Sequence, residues 1–195
     1  MSKIVKDTLK LVAITLIAGV LLSMVYSITK DTIAAAKEQE LQDSYKEVFP
    51  NASSFEIIEA DPSKELFEEG VDLNSALYAK SSDGEVLGCV FSLTSHNGYG
   101  GDVVLSMGVS KDGEITGVKV TQMSETSGLG ANCQTDWIDQ YKGINADRVR
   151  FTKTGKSAPD EIDAISGATV TTTAVTNCVN TGLSLADELL DKEAE

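Results

Sequence analysis

The apolar positions of this chain fall into three patterns, and each predicts a different kind of element. Leu11 to Ile28 reads LVAITLIAGVLLSMVYSI, without one charged side chain. As a helix, that run rises about 27 Å, close to the hydrocarbon thickness of a bilayer. It predicts a transmembrane helix over 11–28, in contact with membrane lipid, behind a short N-terminus over 1–10. Lys30 to Val48 then offers strong helix formers and no Gly or Pro, with a partial apolar stripe at Ile33, Leu41, Tyr45 and Val48. This predicts a helical stalk over 29–49, stopped by Pro50. The remainder, 50–195, reads as one domain.

Within that domain, Asp61 to Asn74 is acidic and reads as a short helix plus loop. From Ala76 the apolar period shortens toward two. ALYAKSSDGEVLGCVFSL places apolar runs on both sides of Asp83-Gly84, and DVVLSMGVSKDGEITGVKVTQ repeats the design around Asp112-Gly113. Both are hairpin signals. Val103, Leu105 and Met107 alternate, as do Ile115, Val118 and Val120 with one slip near Gly117. Two consecutive hairpins predict an antiparallel sheet of four or more strands. ANCQTDWIDQYKG reads as a short helix with Trp137, Ile138 and Tyr141 on one face. A final helix is predicted from Gly167 to Leu190, with its buried face at Val170, Ala174, Cys178, Val179, Leu183, Ala186 and Leu190. The fold class is α+β, an antiparallel sheet packed with helices, including a long C-terminal one.

Charge changes the picture in two ways. With 16 Lys and Arg against 30 Asp and Glu, the formal charge is -14. That excludes nucleic acid as a partner, because little here would neutralise phosphates. Locally, Lys3, Lys6 and Lys10 precede the apolar run, whereas Asp31, Glu38 and Glu40 follow it. The positive-inside bias predicts a single-pass protein of the cell membrane, N-terminus cytoplasmic and main domain extracytoplasmic. Ala34-x-Ala36 resembles a signal-peptide cleavage site but lies several residues past the apolar run, which favours a retained anchor. Three Cys without a CxxC, and a single His, exclude a zinc or iron–sulfur site within the chain. Cys89, Cys133 and Cys178 read as buried apolar fillers, and His96 as a loop residue rather than a base.

The candidate chemistry sits in three polar stretches. DAISGATVTTTAV, Asp163 to Val175, holds the hydroxyls of Ser166, Thr169, Thr171, Thr172 and Thr173 at the start of the last helix. A helix N-terminus suits an anion such as a phosphate, Gly167 permits close approach, and a Thr hydroxyl can carry a phosphate covalently. The same residues also suit ordinary capping, with Ser166 as N-cap. ETSGLG, Glu125 to Gly130, is a tight exposed loop suited to a flat ligand or to a plain turn, and it lacks the third Gly of a dinucleotide fingerprint. HNGYGG, His96 to Gly101, is a Gly-rich joint where Tyr99 can stack on a ring. Trp137 and Tyr141 read as core packing.

The order of these pieces resembles the FMN-binding domain family, most closely the G subunit of Rnf-type electron-transport complexes. The C subunit of the sodium-pumping quinone reductase is a related member. The resemblance spans nearly the whole chain: a membrane helix, GYGG, ETSGLG, a Trp-bearing helix, then DAISGAT. DAISGAT matches the Asp-x-x-Ser/Thr-Gly-Ala-Thr signal that flavin transferases recognise in this family. It implies covalent FMN on Thr169 through a phosphoester, with Asp163, Ser166, Gly167 and Ala168 filling the other positions. It further implies that Tyr99 and Gly100, together with Glu125, Thr126, Gly128, Leu129 and Gly130, flank the flavin ring. The family often has Pro where Ser127 stands. Thr171, Thr172 and Thr173 are left as the helix's first turns, facing water or neighbours.

What the resemblance implies is a membrane-anchored flavoprotein relaying electrons in a complex that couples ferredoxin and NAD to sodium or proton translocation. The chain would be one component of that translocase, without a complete active site or metal of its own. Its partners would be other membrane, iron–sulfur and flavin subunits, and a flavin transferase during maturation. Two alternatives stay open from the residues alone: a stand-alone extracytoplasmic FMN reductase, and a non-redox anchored ligand-binding domain.

Overall fold

The first helix, α1, covers Lys3–Val48, taking in both the apolar run and the polar stretch behind it. The computed structural model describes residues 3–59 and 62–193; Asp61 of the acidic segment lies outside them. Contacts divide the chain into two units, Met1–Glu40 and Leu41–Glu195. In the first, Leu11, Ile14, Ile17, Leu21, Leu22 and Ile28 are each more than half exposed. None of the described residues buries them, and the helix is long and apolar enough to cross a membrane. A single-pass membrane protein fits both facts.

The second unit is built on a five-stranded sheet, β1 (Ser54–Ile57), β2 (Val71–Lys80), β3 (Val86–Ser95), β4 (Val103–Ser110) and β5 (Ile115–Gln122). The strands lie in sequence order, and every neighbouring pair is antiparallel. Both predicted hairpins are present. The slip near Gly117 is a register shift between Gly108 and Val109 on β4, opposite Gly117 and Ile115. One sheet face, with Phe91, Leu93, Leu105 and Met107, joins the main core together with Val175, Cys178, Val179 and Leu183 of the last helix, α2 (Thr169–Glu193). Leu77, Ala79 and Val90 instead join Tyr45, Val48 and Phe49, at and just past the end of α1, in a second cluster. Gly117 makes that contact possible, since a Cβ there would stand 3.0 Å from Val48 Cα.

Several elements depart from expectation. β2 begins at Val71 rather than Ala76, and β1 is an unanticipated edge strand. The expected helix around Trp137 is two 3-10 helices, Gly130–Gln134 and Asp136–Tyr141. Thr135 is extended between them and accepts the Trp137 N–H on its side chain, which interrupts the helical run. A short parallel pair, β6 (Arg150–Thr152) and β7 (Glu161–Asp163), follows. α2 begins at Thr169 because Gly167, at φ +76°, takes a left-handed turn that a right-handed helix cannot contain. Val170 is not on the buried face; it is 48% exposed.

Candidate functional site

Strand β7 ends at Asp163, and the backbone must then turn sharply into α2. Three neighbours hold the turn. Trp137 Nε1 donates to the Asp163 carbonyl at 2.6 Å, and Gln140 Oε1 accepts the Asp163 N–H at 2.9 Å. The Asp163 carboxylate accepts the Lys156 N–H at 2.7 Å. Further along, Thr172 Oγ1 accepts the Ile165 N–H and donates to the Ala168 carbonyl, each at 3.0 Å. The same carbonyl accepts the Thr172 N–H. Ser166 is exposed and lies ahead of the cap position, so Thr172 rather than Ser166 closes this end of the helix.

The turn forms one wall of a cavity of about 510 Å³. Its lining brings the three polar stretches together: Tyr99; Glu125, Thr126, Leu129 and Gly130; Gly167, Ala168, Thr169, Val170 and Thr171. Thr169 is half-buried and also lines a smaller cavity of about 190 Å³ with Lys153, Ala164, Ile165, Ser166 and Gly167. Tyr99, Leu129 and Val170 stand exposed at the larger cavity. Outside α1, the only other large apolar side chain so exposed among the described residues is Ile57. A wider groove of about 690 Å³ between Pro62 and Asn74 contains none of the three stretches. The cavity at Thr169 is therefore the candidate site.

Glu125 ties its walls together. Its Oε1 accepts the Gly100 N–H at 3.2 Å, and its Oε2 accepts the Thr171 hydroxyl at 3.0 Å. The glycines around it fit this carboxylate closely. A Cβ on Gly130 would lie 2.3 Å from Glu125 Oε2 and 2.6 Å from Thr171 Oγ1, and one on Gly98 would lie 2.8 Å from Glu125 Oε1. Both Gly-rich loops thus close on a side chain of the protein itself. Burial, reinforced by the Glu125 charge, pushes the Cys133 thiol up to about 11.

Not every predicted residue reaches the cavity. Gly100 contributes its N–H through Glu125, Gly128 (φ +77°) forms the turn from Thr126 to Leu129, and Ser166 faces the smaller cavity. Asp163 is occupied with Lys156. Two residues of the lining go beyond what the sequence predicts. Periodicity assigns Val170 to the core, and Thr171 reads as part of the bland first turns, yet Thr171 is 1% exposed and holds Glu125. Nothing in the local sequence distinguishes Thr171 from its neighbours, because its partner is 46 positions away.

Around the site, His96 bridges Asp102 through Nδ1 (2.8 Å) and Asp72 through Nε2 (3.0 Å). The Asp102 and then the Asp72 hydrogen bonds raise its pKa above the usual imidazole value. It holds the ends of the loop that carries Tyr99. All three cysteines are buried thiols outside any disulfide. Trp137 and Tyr141 meet edge to face at 5.7 Å, as core packing predicts. Among the described residues no cluster is placed to hold a metal ion.

Comparison with known proteins addresses the same regions. Residues 98–184 match the FMN-binding domain, and residues 1–48 match the RnfG N-terminal region. The chain is 35% identical over 185 residues to the G subunit of the Na(+)-translocating ferredoxin:NAD(+) oxidoreductase complex of Acetobacterium woodii, covering 92% of this chain and 89% of the relative. It is 30% identical over 185 residues to the G subunit of the ion-translocating oxidoreductase complex of Methanosarcina acetivorans, covering 93% of each. With the G subunit of the proton-translocating ferredoxin:NAD(+) oxidoreductase complex of Clostridium ljungdahlii it shares 31% identity over 164 residues, covering 84% of this chain and 80% of the relative. In fold, it resembles the crystal structure of Shewanella oneidensis NqrC, with a TM-score of 0.53 at 20% identity, over 70% of this chain and 69% of that one.

Proposed function

We propose that this chain, which belongs to the family of G subunits of ion-translocating oxidoreductase complexes, relays electrons through FMN joined covalently to Thr169. The observation that carries the reading is the placement of Thr169 on the wall of a cavity that gathers both Gly-rich loops. The residues present fit the group. Tyr99, Leu129, Ala168 and Val170 supply apolar wall for a flat ring, while Glu125, Thr126 and Thr171 supply polar edges. The first N–H groups of α2 lack partners within the helix, and its dipole favours the charge that remains on a phosphodiester. FMN, once bound, supplies one- and two-electron chemistry; the chain binds, orients and shields it.

The remaining assignments follow from what the chain lacks in sequence. It has no CxxC and no dinucleotide fingerprint, so ferredoxin and NAD would be handled by partner iron–sulfur and flavin subunits. The apolar run carries no charged side chain, so sodium or proton movement would also need partner membrane subunits. The Lys-rich N-terminus supports a cytoplasmic start and an extracytoplasmic flavin domain, and a flavin transferase would join the FMN during maturation.

The test is the intact mass of the chain purified from cells that express a flavin transferase, with a denaturing gel viewed under ultraviolet light. The wild type should gain the mass of FMN less one water and fluoresce. Thr169→Ala should lose both signals, while Thr173→Ala keeps them. A wild-type chain without added mass would sink the covalent assignment.

A further inference from the structure

We propose that Glu125 sets the redox potential of the flavin site, and that Thr171 is the positioning residue that fixes its charge in place. The inference rests on the reading that FMN occupies the cavity at Thr169. Among the described residues, Glu125 is the only charged side chain in the lining of that cavity. None of the ion pairs found among the described residues includes it. A carboxylate so placed opposes the arrival of further negative charge nearby, and each electron taken up by the cofactor is such a charge.

An ordinary half-exposed glutamate would swing away and be screened. This one is held from two sides. The Gly100 N–H binds one oxygen and the Thr171 hydroxyl binds the other. A Cβ on Gly130 or Gly98 would fall within 3.0 Å of the carboxylate, so both glycines are needed where it sits.

Thr171 differs from its neighbours in where its hydroxyl is directed, because the carbonyl four residues before it belongs to Gly167, in the left-handed turn ahead of α2. Thr172, Thr173 and Thr176 each donate back to the carbonyl four residues earlier, those of Ala168, Thr169 and Thr172. That is the usual outlet for a helical hydroxyl. Thr171 donates to Glu125 instead. Because Thr171 is two residues from Thr169, the helix that would carry the cofactor also carries the donor that holds the charge. Charge and attachment point are therefore fixed relative to one another.

The experiment uses the full chain, flavinylated in cells and purified in detergent, as wild type, Glu125→Gln, Thr171→Val and Thr171→Ser. Intact mass first establishes that each carries FMN. The midpoint potential is then read by titration against indicator dyes. Glu125→Gln should be easier to reduce, with the reduced-to-oxidised ratio at a fixed poise rising by about tenfold or more, the scale of one partly screened charge several ångströms away. Thr171→Val should shift the same way, and Thr171→Ser should return to the wild-type value, which loss of packing alone would not predict. If Glu125→Gln fails to fold, the two Thr171 variants decide the matter. A flavinylated Glu125→Gln with wild-type potential, or equal shifts in Thr171→Val and Thr171→Ser, overturns the proposal alone. A wild-type chain that carries no FMN overturns the proposal together with the reading beneath it.

Discussion

The hydroxyls at the start of α2 differ in what they bond, and this separates their roles one residue at a time. Thr172 satisfies a buried N–H at Ile165 and is fully buried itself. Replacing it with Val leaves that donor without a partner. Thr172→Val should cost about 1–3 kcal/mol, seen as a lower denaturant midpoint at unchanged slope. Thr173 only bonds back to Thr169 and is partly exposed. Thr173→Val should stay within about 0.5 kcal/mol, and equal losses in the two variants would contradict the assignment. The sequence presents these residues as a run of similar threonines. The motif match singles out Thr169, but burial and partners depend on Glu125 and Ile165, and local spacing carries no trace of the contact to Glu125. This is why Thr171 does not stand out in the sequence as a wall of the cavity, whereas Glu125, Gly130 and Gly167 do.

Whole elements show a related division between local and distant causes. Both hairpins are legible because Asp-Gly turns and alternating apolar positions are local signals. β1 is not, since four residues with mostly exposed side chains become a strand only by pairing with β2. The Glu125–Gly130 loop is a further local case. Thr126 O accepts the Leu129 N–H, and Gly128 has φ +77°, while no residue other than Gly among those described has positive φ. That is a type II turn, in which position two, Ser127, is the one that Pro favours. Ser127→Pro should therefore stabilise the unit by about 0.4–1 kcal/mol, through a less flexible unfolded chain, and raise its melting temperature.

The loop that carries Tyr99 answers to pH instead. The His96 pKa is raised in the folded state by Asp102 and Asp72. Its contribution to stability is thus fully present below the unfolded value, about 6.5, and is lost as pH rises through the higher folded value. The melting temperature of the wild type should exceed that of His96→Asn at pH 6, and the two should converge at alkaline pH. A gap that widened with pH would have the wrong sign for this clamp.

At the scale of the molecule, the pattern of apolar residues carries the α+β class and the membrane helix, but burial shows what the residues just ahead of Pro50 do. The unit that begins at Leu41 counts Tyr45, Val48 and Phe49 among its buried side chains, packed with Leu77, Ala79 and Val90 of the sheet. Ser44 and Ser106 share a buried hydrogen bond of 2.8 Å, and Thr116 donates to the Val48 carbonyl. The end of α1 is therefore core to the second unit, and Leu41, Tyr45 and Val48 of the stalk's partial apolar stripe supply it. Two truncations separate these roles. A chain that starts at Leu41 should stay in water without detergent and unfold in one cooperative step, because its core is whole and the apolar run is gone. A chain that starts at Asn51 loses three large buried side chains, each contributing about 1.5–3 kcal/mol. Together they rival the total stability of an ordinary domain, about 5–15 kcal/mol. The shorter chain should therefore aggregate or bind a hydrophobic dye with no cooperative melt. Equal melting temperatures for the two would mean that the sheet does not depend on the helix end that covers it.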